Sequence, residues 1–260
     1  MARDVVRSGL RFVRRLRRRL PLGREHRVIR SARRYWDTRY ASTPAYVSSG
    51  HIGLSDDANR RDFTVRADLL GETLQRLRLP NRDRLLDAGC GNGLFVTMYV
   101  DLGFVTTAFD ISSEAIAQAR KRFGDVCEWS VADIESFQGS QAFDFVVCLG
   151  ALMCIVDDDA HARAFPNLAS LTAQGGYLIL EEMLVPPAET ARVVALGSQI
   201  RMRALDVYKD LIADTNLELA EHIRFRVPLA GQEKSLLVLR GTGAHRYGTR
   251  TRASKEDAAP

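Results

Sequence analysis

Residues 85–93 read Leu-Leu-Asp-Ala-Gly-Cys-Gly-Asn-Gly, a short apolar run closed by an acid and followed by three glycines at alternate positions. An apolar run of this length, ended by turn residues, reads as a buried central strand. A dinucleotide-binding turn needs its last glycine three residues after the second, so that a pyrophosphate can sit on a helix N-terminus. That position is Leu94. Gly89, Gly91 and Gly93 instead lower the steric wall beside the strand end, so that a bulky ligand can lie against backbone.

The pattern around this loop alternates between strand and helix. Phe63, Ala67, Leu70, Leu74 and Leu77 recur in steps of four and three, which predicts a helix ahead of the strand at Arg84–Ala88, with Pro80-Asn81-Arg82-Asp83 as the break. A helix over 94–102 stopped by Gly103, a strand over 105–110, a helix over 113–123 closed by Gly124, and strands over 126–131 and 143–149 continue the series. Asp157-Asp158-Asp159 reads as an N-cap with first-turn charges. With His161 these acids could be mistaken for a metal cluster, but successive helical residues face different directions and cannot converge on one ion. No metal site is expected.

Pro166 is expected to interrupt that helix, Gln174-Gly175-Gly176 to form the turn into a fifth strand, and 189–214 to be one long helix kinked near Gly197. Leu217–Val227 and Lys234–Arg240, joined by Pro228-Leu229-Ala230-Gly231, read as an antiparallel hairpin at a sheet edge. The expected fold is α/β: a doubly wound, mostly parallel seven-stranded sheet with an antiparallel edge hairpin and an N-terminal helical extension. The expected divisions are a basic amphipathic helix (1–22), a helical lid segment (23–80), a Rossmann-like catalytic domain (81–241) and a disordered tail (242–260).

The glycine loop, with four further segments in order, resembles the class I S-adenosylmethionine-dependent methyltransferases, whose first motif has the form acid-x-Gly-x-Gly-x-Gly. The four are Val105–Ile111, which ends in Asp110 before a helix opening at Ser112-Ser113-Glu114, then Val131-Ala132-Asp133-Ile134, Phe143–Gly150 and Gly175–Leu180. The resemblance covers roughly residues 80–185. It implies S-adenosyl-L-methionine as cofactor. Asp87, Gly89, Gly91 and Gly93 would border the methionine portion and ribose, and Asp110 would accept the ribose hydroxyls. Ile111 and Ile134 would sandwich the adenine, Asp133 would accept from its amine, and Leu149 and Gly150 would lie beside the methionine moiety. In relatives a segment similar to Tyr35-Trp36-Asp37-Thr38-Arg39-Tyr40 folds over the cofactor as a lid, where an aromatic face could stabilise a sulfonium.

Charge divides the chain. Of a net +5, residues 1–40 contribute +11 from 14 Arg against 3 acids, which leaves −6 for residues 41–260. A mildly acidic fold argues against a nucleic-acid groove across the motifs. At 100° per residue, Val5, Val6, Leu10, Phe12, Val13, Leu16 and Leu20 fall opposite Arg7, Arg11, Arg14, Arg15 and Arg18. Such a helix could lie on an anionic membrane, pack on its own domain, or act as a transit peptide poor in serine. The N-terminus lacks the apolar core of a secretory signal, and Cys90, Cys127, Cys148 and Cys154 form no Cys-x-x-Cys pair. A cytoplasmic enzyme, peripheral at a membrane, is the expectation.

Absences narrow the acceptor. Cys148-Leu149-Gly150-Ala151 lacks the Asn/Asp-Pro-Pro-aromatic signature of base-amine methylation and the Pro-Cys nucleophile of cytosine methylation. A hydroxyl of a small molecule, glycan or glycolipid is expected, with His51, Glu182 and His222 as candidate bases. The alternatives are an RNA methyltransferase or RNA-binding protein using the N-terminal arginines, and a non-catalytic cofactor-binding interaction protein.

Overall fold

The computed structural model describes residues 32–78, 80, 83–189, 192–195 and 198–243. The helix expected at 1–22 lies outside the described residues, as does the expected tail beyond residue 243. Three helices open the described chain: α1 (Ala32–Ser42), the single turn α2 (Ala45–Ser48) and α3 (Asp56–Leu77). There follow β1 (Arg84–Ala88), α4 (Val96–Asp101), β2 (Val105–Asp110), α5 (Ser113–Phe123), β3 (Glu128–Val131), β4 (Phe143–Leu149), α6 (Asp158–Leu171) and β5 (Thr172–Glu182). The last elements are a small hairpin, β6 (Arg192–Ala195) with β7 (Ser198–Arg201), then α7 (Leu205–Ala213), β8 (Leu217–Val227) and β9 (Gln232–Gly241).

Seven strands form one sheet in the order β3-β2-β1-β4-β5-β9-β8. The first five are parallel, and β9 and β8 add antiparallel at one edge. Strand order reverses between β1 and β4, so the crevice for a ligand lies outside the carboxyl ends of those strands. This is the doubly wound sheet with an antiparallel edge hairpin expected from the sequence. Among the described residues, no helix is long and apolar enough to cross a membrane.

Successive strand residues point to opposite faces, and the core divides accordingly. Leu86, Val146, Leu178 and Leu237 pack with Phe165 and Leu168 of α6 and Tyr208 of α7. Leu85, Phe145, Ile179 and Leu236 pack with Leu70 and Leu74 of α3, Tyr99 of α4 and Ile116 of α5. The same alternation sends Glu181 toward α3 and Glu182 toward α7, although the two are neighbours in sequence.

Three local expectations are corrected. Pro166 sits inside a continuous α6; burial of Phe165, Leu168 and Ala169 offsets the roughly 3 kcal/mol that a helix-interior proline costs. Gln174-Gly175-Gly176 lies within β5, where the register with β4 shifts between Phe143 and Phe145. A Cβ on Gly176 would come within 2.6 Å of the Asp144 carbonyl oxygen, so the glycine serves close backbone approach there. Within 189–214, the expected single helix is replaced by the β6–β7 hairpin and α7.

Candidate functional site

The glycine loop is tied down by its own amides. The N–H groups of Gly89 and Cys90 both donate to the Phe109 carbonyl of β2, at 2.8 and 3.0 Å. That of Gly91 donates to Asp110 Oδ2 at 2.9 Å. The spaces a Cβ would occupy are filled by the chain itself. Gly89 faces the Ala151 methyl at 2.4 Å, Gly91 the Tyr40 hydroxyl at 2.5 Å, and Gly93 the Trp129 ring at 2.7 Å. The alternate glycines therefore let protein approach protein, and the expectation that all three clear room for ligand is corrected on this point. Ile134, buried, has its Cδ1 3.7 Å from the Gly89 Cβ position, so it borders the loop.

Two buried carboxyl groups belong to the ends of β1 and β2, Asp87 standing in register with Ala108, two residues before Asp110. Asp110 accepts from Gly91 N–H and, through Oδ1, from Ser112 N–H at 2.8 Å. Burial pushes its carboxyl up to about 6 against the lowering effect of those backbone bonds. Asp87 is more confined: burial, then the charge of Asp110, raise it to about 8 while Arg66 pulls the other way. Its Oδ2 is buried and has no hydrogen-bond partner among the described residues.

The N-terminal helices close over this loop. Asp37 Oδ1 of α1 accepts from Ser112 Oγ at 2.7 Å, Ser113 Oγ at 3.3 Å and Glu114 N–H at 3.1 Å, and so caps α5 from another element. Gln118 donates to the Tyr40 carbonyl at 2.8 Å. The Tyr40 hydroxyl meets Ser49 Oγ at 3.2 Å, Ser49 donates to Asn92 Oδ1 at 2.9 Å, and Asn92 donates to the Ala45 carbonyl at 3.0 Å. Arg39, buried, donates to the carbonyls of Val47 at 3.1 Å and Gly50 at 2.6 Å.

At the end of β4, Leu149 is half-buried and Gly150 donates its N–H to the Glu181 carbonyl at 3.0 Å. Cys154 Sγ donates to the Gly150 carbonyl at 3.1 Å. Behind Gly150, Arg66 Nε of α3 and Lys234 Nζ of β9 bind the two oxygens of Glu181 at 2.7 and 2.6 Å. Burial would raise the Glu181 carboxyl, but Arg66 and then Lys234 hold it at about 2. The Arg66 guanidinium also lies over the rings of Phe63 and Phe95, at 4.5 and 5.1 Å.

The three candidate bases fall in different places. His51, in the lid loop, accepts from Gly53 N–H through Nδ1 at 3.0 Å, so its neutral form carries the proton on Nε2. His222 bonds Ser235 at 2.8 Å on β8, the strand farthest from β1 on its side of the sheet. Glu182 is buried against α7; burial raises its carboxyl to about 8, with Tyr208 and Arg203 acting to lower it. The Tyr208 hydroxyl acts on it through a side-chain hydrogen bond, and His161 Nε2 has no hydrogen-bond partner among the described residues. Asp133 Oδ1 accepts from Glu135 N–H at 3.0 Å, a local turn bond, and Ile111 is half-buried beside Asp110.

Asp157 caps α6 through Ala160 N–H, Asp158 pairs with Arg201 and Arg203, and His161 packs edge-on against Tyr208. No group of three metal-ligating side chains occurs among the described residues.

These residues suit the donor the motifs predict. A buried carboxyl with a free oxygen beside a second carboxylate fits a ligand that brings positive charge and hydroxyl donors into the crevice. Sequence reasoning gave Asp37 and Arg39 only as part of the lid segment and passed over Arg66, Glu181 and Lys234. The last three lie far apart in the chain, and only the pairing of Glu181 with side chains from α3 and β9 brings them together.

Residues 85–176 match a family described as "Methyltransferase domain". The chain is 30% identical over 195 residues to the ubiquinone biosynthesis O-methyltransferase of Xanthomonas axonopodis pv. citri (strain 306), covering 72% of each sequence. It is 30% identical over 204 residues to human glycine N-methyltransferase, covering 69% of this chain and 68% of that one. The magnesium protoporphyrin IX methyltransferase of Synechocystis PCC 6803, solved with bound SAM, superposes with a TM-score of 0.60 at 18% identity, over 80% of this chain and 94% of that one. The last similarity shows a shared fold.

Proposed function

Because the chain belongs to the class I S-adenosylmethionine-dependent methyltransferases, with S-adenosylmethionine as its methyl donor, we propose that it methylates a hydroxyl of a small molecule or glycan. The observation that carries the hydroxyl is Glu182. A hydroxyl loses a proton as it is methylated, and the donor supplies only a methyl group activated on positively charged sulfur. A carboxyl whose pKa burial raises to about 8 can, once ionised, take that proton, whereas His51 Nδ1 and His222 Nε2 are already engaged.

In this reading Asp110 holds the ribose hydroxyls, Ile111 and Ile134 flank the adenine, and Asp133 accepts from its amine through the oxygen its turn bond leaves over. Asp87 faces the positively charged methionine portion, and Leu149 and Gly150 border it. The glycine loop fixes these groups by bonding to β2. The lid of α1 and α2 excludes water, so the aligned nucleophile meets the methyl group without competing solvent.

Radiolabelled methyl transfer to matched phenols, sugars and amino sugars tests the acceptor. Incorporation into hydroxyl compounds supports the reading, and incorporation into amines alone overturns it. The second reading, an amine acceptor, draws on the similarity to glycine N-methyltransferase.

The same proposal extends to residues 1–22, whose apolar positions segregate in the sequence from all the arginines but Arg17. We infer that they bring the enzyme to an anionic membrane, where a lipid-linked acceptor would be reached. Flotation with phosphatidylglycerol vesicles should recover the full chain but not one lacking residues 1–22. Equal recovery of both, or salt-sensitive RNA binding in place of vesicle binding, overturns it.

A further inference from the structure

Resting on the reading of Glu182 as the proton acceptor, we propose that Ser235 and His222 carry its proton out to solvent across the antiparallel edge of the sheet. The path is laid out by strand register. Glu182 of β5 is the direct partner of Ser235 in β9, and Ser235 is in turn the direct partner of Arg224 in β8. Partners in an antiparallel ladder project from the same face, as do residues two apart along a strand. Glu182, Ser235 and His222 therefore share the face on which Leu180 and Leu237 pack with α6 and α7. His222 stands two residues before Arg224, diagonal to Ser235, and its Nε2 meets Ser235 Oγ at 2.8 Å.

A buried acid needs such an exit. Glu182 is 1% exposed and Ser235 4%, and a carboxylate that collects a proton in each turnover must return it to water before the next. On its other side Tyr208 leads inward, fully buried and edge-on to the enclosed His161 at 5.7 Å between ring centroids. Toward β9 and β8 the surroundings open. His222 is exposed and, with Ser235, lines a groove of about 280 Å³ bordered by Leu184, Leu205, Arg224 and Glu233. Directly paired residues hold their Cβ atoms about 4.5–5.5 Å apart, a gap that the Glu182 side chain closes by turning or that one water bridges. Burial, with Arg224 and Lys209, keeps the His222 ring below its ordinary pKa, so at pH 7 it is neutral and Nε2 can accept.

The transfers balance. The acceptor hydroxyl gives its proton to Glu182 as its oxygen takes the methyl group from sulfur. Glu182 passes the proton to Ser235 Oγ, Ser235 gives its own to His222 Nε2, and His222 releases the proton on Nδ1 to solvent. The carboxylate is then ionised again, and exchange of the ring protons with water restores the first tautomer.

Turnover of the full chain, with the phenol or sugar best methylated in the acceptor assay, tests the path. Ser235→Ala and His222→Ala should each lower kcat about tenfold and leave the KM for S-adenosylmethionine unchanged. Added imidazole should restore most of the turnover of His222→Ala, because a free base takes the place of the missing ring, and should leave Ser235→Ala slow. His222→Gln keeps a hydrogen-bonding group beside Ser235 but cannot relay a proton, so it should be as slow as His222→Ala. Full turnover in His222→Gln or Ser235→Ala overturns the proposal. So does a loss in His222→Ala that imidazole leaves unchanged, which would make the His222–Ser235 bond a structural tie. Full turnover in Glu182→Gln, or no methylation of any phenol or sugar, would instead overturn the reading of Glu182 beneath the proposal, and the proposal with it.

Discussion

The charge of Asp110, at the end of β2, helps to hold the Asp87 carboxyl of β1 up to about 8, after the larger effect of burial. At pH 7 Asp87 therefore carries a proton in the free protein. A donor bringing a sulfonium and an ammonium favours the ionised carboxylate, so binding should release a proton to the buffer. The sign follows directly: affinity rises with pH up to about 8 and levels off above it. Calorimetry in buffers of different ionisation enthalpy measures the release. Proton uptake, or no exchange at pH 7, would show that Asp87 does not face the donor's positive charge.

Asp110→Ala removes the acceptor of two backbone N–H groups as well as the expected ribose contact. Each lost charge-assisted bond costs about 1.5–3 kcal/mol, so donor affinity should fall roughly a hundredfold. Equilibrium binding of S-adenosylhomocysteine checks this. An unchanged dissociation constant would remove Asp110 from the site.

Gly93 and Gly124 share a positive φ, 78° and 66°, but differ in their surroundings. A Cβ on Gly124 meets nothing within 4 Å, while one on Gly93 meets the Trp129 ring at 2.7 Å. Gly124→Ala should cost about 1–3 kcal/mol from backbone conformation alone, because its ψ of −146° at positive φ is a conformation that glycine alone adopts freely. Gly93→Ala should cost at least about 1–3 kcal/mol more, because Trp129 must move. Urea denaturation of the two variants measures the difference, and equal costs would mean that the indole yields freely.

Much of this site was legible because its residues end strands. Buried apolar runs that close on Asp87, Asp110 or Gly150 signal both the strand and its carboxyl end, and β1, β2 and β4 fall where those runs predict. The sequence could not show what fills the glycine notches, since Ala151, Tyr40 and Trp129 reach them from three separate elements. The segment 189–214 misled for a different reason. Its alanines, leucines and arginines favour helix, yet residues 192–201 pair as a hairpin with Val194 opposite Gln199, and tertiary pairing overrides so weak a local preference. Arg66, Glu181 and Lys234 carry no motif at all, because an ion-pair cluster is defined by sheet order rather than by spacing.

Asp37 ties the lid to α5 through three hydrogen bonds, which hold its carboxyl below the ordinary range although burial works against them. Asp37→Ala should cost about 1 kcal/mol as a lost cap and speed the release of S-adenosylhomocysteine several-fold, since α1 also rests on the glycine loop through Tyr40. Trp36, next in sequence, is a fluorescent reporter on the same helix. Stopped-flow displacement reads the release rate, and a rate equal to that of the unaltered protein would show that the tie does not gate the crevice.

Glu182 should give opposite signs in stability and activity. Its folded pKa of about 8 lies above its ordinary value of 4.5, so the folded state keeps a proton that the unfolded chain gives up between those values. Stability from this group is fully present below about pH 4.5 and declines as pH rises toward 8. Glu182→Gln cannot ionise, so it should flatten that decline and leave the variant relatively more stable at pH 8 than at pH 4.5. As a proton acceptor, the same residue should be needed for hydroxyl methylation, and the variant should lose about a hundredfold or more in turnover, with the alkaline rise of the rate abolished. Thermal denaturation across pH, measured beside the pH–rate profile, separates the two effects. A variant that gains stability at alkaline pH but keeps its activity would leave Glu182 a buried structural acid and move the proton to another group.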